Sequence, residues 1–324
     1  MADLKPVPSV LEHTLQLRWS LPFLALLLAL PLAAYSVGDT FYVGMATRVL
    51  VFALAASSLN LILGFGGMVS FGHAAFLGIG AYSVAILMQN GIASAWIAWP
   101  LAILLTALVS LLIGWVSLRT QGVYFIMITL AFAQMLYYLV ISLKAYGGDD
   151  GLSLAAKSSI GWGLDLSIDV HLYYLSLGAL VMAMVFMVRL LNARFGHALQ
   201  AIRENEVRMT ALGFAVFRYK LAAFTLAGAV AGLAGVLFAN LNGFVSPAMM
   251  QWSQSGMLMM MVILGGVGHL YGGVIGAIAF LLLEEFLSHY TMHWQLSLGA
   301  VLLAVVLFAP NGITRLLKRK ASHD

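Results

Sequence analysis

The chain contains no cysteine, and that absence excludes a disulfide framework, a thiolate metal site and a cysteine nucleophile. Charge is the second shortage: Asp, Glu, Lys and Arg make up 9% of the 324 residues, against about 25% in an ordinary soluble domain. A water-soluble fold of this length needs more polar surface than these side chains supply. Catalytic signatures are missing too. No G-x-x-x-x-G-K-[ST] loop occurs, so the chain cannot hydrolyse ATP by the P-loop route. Neither H-E-x-x-H nor G-x-S-x-G is present, which removes two hydrolase patterns.

What is present is apolar: 62% of the residues. In lipid, a spanning segment must satisfy its own backbone as a helix or in a closed barrel. The apolar runs are near-continuous rather than alternating, which selects helices. About ten spans follow, at approximately 20–37, 46–64, 68–89, 95–117, 122–143, 172–191, 219–241, 255–268, 270–288 and 292–309. The eighth is short for a full crossing and reads as a re-entrant or broken helix. The first also fits a cleaved signal peptide, with a basic flank, an apolar run from Leu21 to Ala34 and small residues near its end.

Basic residues set the orientation. Lys5 and Arg18 precede the first span, and Arg119 lies between the fourth and fifth. Arg189, Arg194, Arg203, Arg208, Arg218 and Lys220 surround the loop after the sixth, and Arg315, Lys318, Arg319 and Lys320 follow the last. With an even number of crossings all of these fall on one side, which is then cytoplasmic. The acidic loop 144–171, carrying Asp149, Asp150, Asp165 and Asp169, falls on the other. The expected organisation is a cytoplasmic N-terminal segment 1–19, one transmembrane domain 20–310 with a cytoplasmic loop 192–218, and a basic cytoplasmic tail 311–324. A net charge of +4 spread over span ends is a topology signal rather than a nucleic-acid-binding face.

The stretch Asn192–Lys220, NARFGHALQAIRENEVRMTALGFAVFRYK, does not belong in lipid. Its spacing predicts one short helix over 196–204, with Ala198, Leu199 and Ile202 on one side. The period then slips, because Glu206 would fall on that apolar face. Asn205 is placed to cap a second helix over 206–212, and Gly213 to stop it. The residues alone support two readings, a solvated loop near anionic headgroups or a docking surface for a soluble partner. Glu204 and Glu206 weigh against pure lipid attraction.

Glycines crowd the junction of the second and third spans: Gly64, Gly66, Gly67, Gly72, Gly78 and Gly80, with Asn60, Ser70 and His73 among them. Close helix packing is the simpler explanation. The alternative is a locally unwound helix along a translocation path made by Asn60, Gly64, Gly67, Ser70, Phe71, Gly72 and His73, where free backbone N–H groups meet a substrate carboxylate. An ionisable residue within a span suggests function, yet a neutral His73 bonded within a bundle is the commoner case. No second ligand stands at i+4 from it, so no metal site is expected. Gly228/Gly232 and Gly268/Gly272/Gly276 form small-residue faces suited to packing. Glu284 and Glu285 read as an interfacial helix end. Ile62-Leu63-Gly64 and Ile263-Leu264-Gly265 open similar segments, a hint of internal duplication, and five spans either side of the polar loop would fit two inverted halves.

Three segments carry a resemblance: GHALQAIRENEVRMTALGF (196–214), LNLILGFGGMVSFGHAAFLGIGAY (59–82) and MMVILGGVGHLYGGVIGAIAF (260–280). In this order they resemble the permeases of branched-chain amino acid ATP-binding cassette (ABC) transporters, in particular the M-type (LivM-like) subunit. The resemblance implies an all-α type II importer permease in the bacterial inner membrane. It implies that Ala201, Ile202, Arg203, Glu204, Asn205 and Glu206 contact an ATPase, with Gly213 closing the second helix. The implied partners are a homologous H-type permease, two ATP-binding subunits and a periplasmic or extracellular binding protein. This chain would then bind no cofactor itself, ATP and Mg²⁺ being used by the ATPase subunits. Urea, amides or another small solute are the alternative cargo. A gradient-driven secondary transporter is the competing class, and it would require acidic residues buried in span interiors.

Overall fold

Long apolar runs close their backbone hydrogen bonds locally when no water is at hand, and they do so here as helices. The computed structural model describes residues 22–31, 41–154, 156–161, 165–166, 168–290, 293–308 and 312–313. The expected N-terminal segment, the ends of the first span and nearly all of the basic tail lie outside the described residues. Helix α1 is Pro22–Pro31. It is followed by α2 (Phe41–Asn60), α3 (His73–Gln89), α4 (Ala95–Ser117), α5 (Val123–Ser142) and α6 (Asp169–Asn192). Two short helices come next, α7 (Arg194–Glu204) and α8 (Glu206–Ala211), and then α9 (Val216–Asn242), α10 (Trp252–Gly265), α11 (Gly272–Tyr290) and α12 (Trp294–Phe308). Six of these helices are long and apolar enough to cross a membrane.

Burial separates centre from rim. The spanning window within Phe41–Phe65 is 83% buried, whereas that of α5 is 28% buried. Helix α2 is apolar all round apart from Arg48 near its start, the composition of a core helix, and its run of Ala53, Ala55 and Ala56 lets neighbours come close. Helix α5 turns Met127, Met135 and Tyr138 outward, a face fit for lipid.

Glycine makes the tightest contacts. A Cβ on Gly80 would collide with the Gly232 carbonyl, and one on Gly235 with the Leu77 carbonyl, so α3 and α9 touch backbone to backbone. A Cβ on Gly232 would also lie 2.7 Å from Thr106 Cβ of α4. On the other side of the bundle, a Cβ on Gly273 of α11 would lie 2.6 Å from the Ser57 nitrogen of α2. Gly268 leaves the small-residue face expected for it: it sits in the turn between α10 and α11 at φ +77°.

The start of the third span moved inward. The third span, expected from 68, begins at His73. A π-turn over Leu61–Phe65 ends the α2 segment, and Gly67 at φ +68° takes the chain out of helical geometry. Helix α10 has 14 residues, about 21 Å at 1.5 Å per residue, less than the roughly 30 Å of hydrocarbon in a bilayer. It is short, as its apolar run suggested.

The halves are not five spans about the polar loop. Among the described residues, six helices precede α7–α8 and four follow. The correspondence instead joins α2–α5 with α9–α12. Each unit opens on a long buried helix, passes through an irregular stretch into a short helix, and ends in two more helices. Helix α4 packs along α9 as α11 packs along α2, and α5 reaches α3 and α4 as α12 reaches α10 and α11. Helix α2 runs toward the α7–α8 end and α9 runs away from it, so the units are inverted. A two-residue ribbon, Leu152–Ser153 with Phe244–Val245, closes the far end; such short strands leave no sequence signal.

Glu284 corrects an expectation. It lies six residues inside α11, and its carboxylate meets Arg48 of α2 at 3.3 Å. An acidic residue is therefore half-sheltered within a span after all, tolerated because a cation on a neighbouring helix compensates it.

Gly235→Val should push α3 from α9, lowering stability by about 1–3 kcal/mol or more, while the outward-facing Gly178→Ala, with open space around it, should change little. Thermal unfolding of the two variants in one detergent checks this, and equal melting temperatures would refute the backbone contact.

Candidate functional site

Helices α7 and α8 form where the spacing predicted them. Asn205 is extended (φ −156°, ψ 97°) and breaks the run, and its Oδ1 accepts from the Arg208 N–H at 2.8 Å. That bond satisfies one of the donors a helix start leaves open. Gly213, at φ +83°, follows the last turn and donates its N–H to the Thr210 carbonyl at 2.9 Å.

Three contacts fasten this pair to the bundle. Ala198 and Ile202 of α7 bury against Met209 of α8 and Val216 of α9. Phe195 stacks on Tyr219 at 5.6 Å between ring centres. Lys220 donates to Glu206, tying α8 to α9. Ile202 is thus 2% exposed and belongs to the packing rather than to an outer face. Its side chain completes the apolar cluster, so of the contact core implied by the resemblance the outer surface keeps Arg203, Glu204 and Asn205, with Ala201 and Glu206 partly covered. Val207, Leu212 and Phe214 add an apolar edge to them, with Val207 80% exposed. Those three were not singled out in the sequence, although exposed aliphatics in a charged stretch are the signal that finds them.

Arg203 connects this pair to the glycine-rich segment. Its guanidinium donates to the Gly64 carbonyl. The α2 segment ends there, so its last carbonyls have no partner in the helix. Arg203 satisfies one, and the Met68 N–H satisfies Ile62 at 2.8 Å. A Cβ on Gly67 would lie 3.0 Å from Arg203 Cγ, and a Cβ on Gly268 would lie 3.0 Å from its Nη1. Both glycines have positive φ, a conformation L side chains rarely adopt. The arginine lies between two glycine turns, one from each inverted unit.

Asn60 joins the same two turns inside the bundle. Its Oδ1 accepts from the Gly268 N–H at 3.0 Å and its Nδ2 donates to the His269 carbonyl at 2.8 Å. Asn60, Gly64, Gly67 and Arg203 therefore form one cluster, assembled from segments well separated in the chain.

Ser70, Phe71, Gly72 and His73 form a second group at the start of α3. The Gly72 N–H donates to Ser70 Oγ at 3.3 Å, the Phe71 N–H to Thr129 Oγ1 at 3.3 Å and the Ala74 N–H to Ser255 Oγ at 2.9 Å. Hydroxyls from α5 and α10 thus occupy donors that the sequence offered to a substrate. His73 is fully buried, with Nε2 at 2.8 Å from Ser58 Oγ. The Ser58 hydroxyl donates to the Ala55 carbonyl at 2.7 Å, so it accepts from His73 and the Nδ1 is left bare. That is a neutral histidine bonded within the bundle. Among the described residues no group of three His, Asp or Glu is placed to hold a metal ion. Thr129 and Ser255 went unremarked in the sequence, since single hydroxyls in apolar helices look like ordinary packing.

Comparison with known proteins places these features. The chain is 30% identical to the high-affinity branched-chain amino acid transport system permease protein LivM of Escherichia coli K12, over 90% of this chain and 74% of that protein. It is 24% identical to a probable branched-chain amino acid transport permease protein LivM of Methanocaldococcus jannaschii, over 81% of this chain and 90% of that one. LivH of Salmonella typhimurium, named as a permease of the same kind of system, is 25% identical, again over 81% and 90%. No solved structure matches. The family model described as branched-chain amino acid transport system / permease component matches residues 41–309, a stretch that takes in both glycine turns, Arg203 and the whole α7–α8 pair: the chain belongs to that family.

Proposed function

We propose that this chain is the membrane-spanning permease subunit of an ATP-driven importer, carrying leucine, isoleucine and valine into a bacterial cell across the inner membrane. The observation that carries the mechanism is Arg203, which links the exposed α7–α8 pair to the broken segments of both units. The relatives named for branched-chain amino acid transport support the cargo. Matches to both LivM and LivH names support a second, homologous permease as partner. Two ATPase subunits and a periplasmic binding protein complete the assembly, and they consume the ATP and Mg²⁺.

In this reading the ATPases grip Glu204, Asn205, Val207, Leu212 and Phe214. When they close, α7 and α8 move with them. Helix α8 draws α9 through Lys220 and Glu206, while Arg203 draws the Gly64–Gly67 and Gly268 turns. Both long buried helices are thereby reached, one in each inverted unit. The irregular segments are where backbone can rearrange without exposing bonds to lipid, because protein surrounds them. Access alternates from one side to the other, and no bond in the solute is made or broken. The chain acts as a transporter subunit rather than as an enzyme.

The double substitution Glu204→Ala with Asn205→Ala should abolish ATP-driven leucine uptake while membrane insertion stays normal. Co-purification with the ATPases at wild-type yield, together with wild-type transport, would remove the docking claim.

Arg203→Gln should separate grip from transmission. The ATPases remain bound, since Glu204, Asn205, Val207, Leu212 and Phe214 are untouched, but uptake per ATP hydrolysed falls by about tenfold. Loss of ATPase binding with an unchanged coupling ratio would contradict it.

The topology is open to direct labelling, because the chain has no native cysteine. A cysteine placed at Asn205 should react with an impermeant thiol reagent only from the cytoplasmic side, and one placed at Asp150 only from the other. The reverse pattern would end the importer assignment.

A further inference from the structure

The far end of the bundle, remote from α7–α8, holds a cavity of about 430 Å³ that the coupling mechanism does not use. Small-molecule sites occupy about 300–1,000 Å³. Its mouth is marked by Asn242, the last residue of α9, and by Ser246 next to the two-stranded ribbon. Its floor is Ala74, one residue past His73 at the start of α3. The cavity thus descends from the far end to the broken segment that Arg203 approaches from the opposite side.

The lining divides into two chemistries. Phe52, Leu77, Phe238 and Leu258 supply an apolar wall, with the Phe52 and Phe238 rings edge to face at 5.7 Å. Against them stands one full charge, Arg48. Among the described residues its only hydrogen bond runs from Nη2 to Glu284 Oε1 at 3.3 Å. A guanidinium carries five N–H donors in a planar fork suited to a carboxylate. Four of those donors remain unused, and the side chain is 42% exposed. Glu284 holds the fork in place without filling it. The pair is electrically balanced, so a ligand with a net charge would upset it while a zwitterion would not. The amide and hydroxyl oxygens of Asn242, Ser246 and Gln254, also in the lining, can accept from an ammonium group.

We propose that this cavity receives the zwitterion of a small aliphatic amino acid, its carboxylate on the Arg48 fork and its side chain against the Phe52–Phe238 wall. Glu284 is a positioning residue that acts through Arg48. The proposal rests on the importer reading and deepens it, by locating in this subunit a site where solute waits before passage.

The test uses the full transporter, both permeases and the ATPases, in lipid nanodiscs, with Met257→Cys in the cavity lining as a reporter. Leucine should slow thiol labelling at position 257. Isoamylamine, which is leucine without its carboxylate, should not. Arg48→Gln should raise the leucine concentration needed for protection by about tenfold or more, with ATPase co-purification unchanged, and Glu284→Gln should give a smaller rise. Equal protection by isoamylamine overturns the proposal and needs no second variant. So does unchanged leucine protection in Arg48→Gln. An arginine that only anchors lipid phosphate would show as labelling indifferent to leucine, which also overturns it. Normal leucine uptake without protection defeats this site and leaves the importer reading standing; protection without ATP-driven uptake does the reverse.

Discussion

A cation carried on a surface helix satisfies a carbonyl that the interior leaves open, and much of the architecture is arranged around that bond. The carbonyl of Gly64 is open because the π-turn over Leu61–Phe65 ends the α2 segment. The C-terminal end of a helix is also its negative end, so a guanidinium is favoured there by the peptide dipoles as well as by the hydrogen bond. The contact requires that nothing stand between Arg203 and the chain, and Gly67 and Gly268 meet that requirement by having no side chain. The same bond closes an exposed hydrogen-bond deficit and fixes a peripheral element to the core.

Asn60 has the complementary role within the bundle. One buried amide uses its acceptor on the Gly268 N–H and its donor on the His269 carbonyl, so the end of the opening helix of one unit is stitched to the turn of the other. An unpartnered amide at that depth would cost several kcal/mol, and a partly satisfied one would still fix no register. The two turns therefore hold a defined relation to each other, and Arg203 meets them as a set. At the far end the Arg48–Glu284 pair joins the same two units again, through α2 and α11. The inverted halves are joined by polar contacts at both ends and by close helix packing between.

Much of this was legible in the chain itself. Apolar run length placed the helices within a few residues, and the slip in period at Glu206 separated α7 from α8. Asn205 and Gly213 marked the cap and the stop because short-range hydrogen bonding decides both. Helix α3 began late for the opposite reason: Met68, Val69 and Phe71 are as apolar as any helix, and only the backbone at Gly67 takes them out of one. Pairings between distant segments were harder. Arg203 with Gly64, Asn60 with Gly268 and Arg48 with Glu284 join residues more than a hundred positions apart, and no local pattern announces them. Ile202 was read as part of an outer face although its period put it on the apolar one, because a resemblance assigns a segment as a whole and does not sort its residues by direction. The equal split of spans about the polar loop failed because two helices before it, α1 and α6, belong to neither repeat, and the apolar runs themselves already stand six before the loop and four after it.

The contact of α3 with α9 limits how the molecule can move. Gly80 faces the Gly232 carbonyl and Gly235 faces that of Leu77, so the main chains interlock at two levels. Sliding one helix along the other would drive each backbone into the other's carbonyls, and tilting them apart would open voids that no side chain is long enough to fill. This couple therefore travels as a single rigid rod, and shape change is confined to its unwound ends. A solute on its way through would meet a stiff shaft with a flexible joint at each end, so the size of the opening is set by how far those joints bend and not by how soft the bundle is.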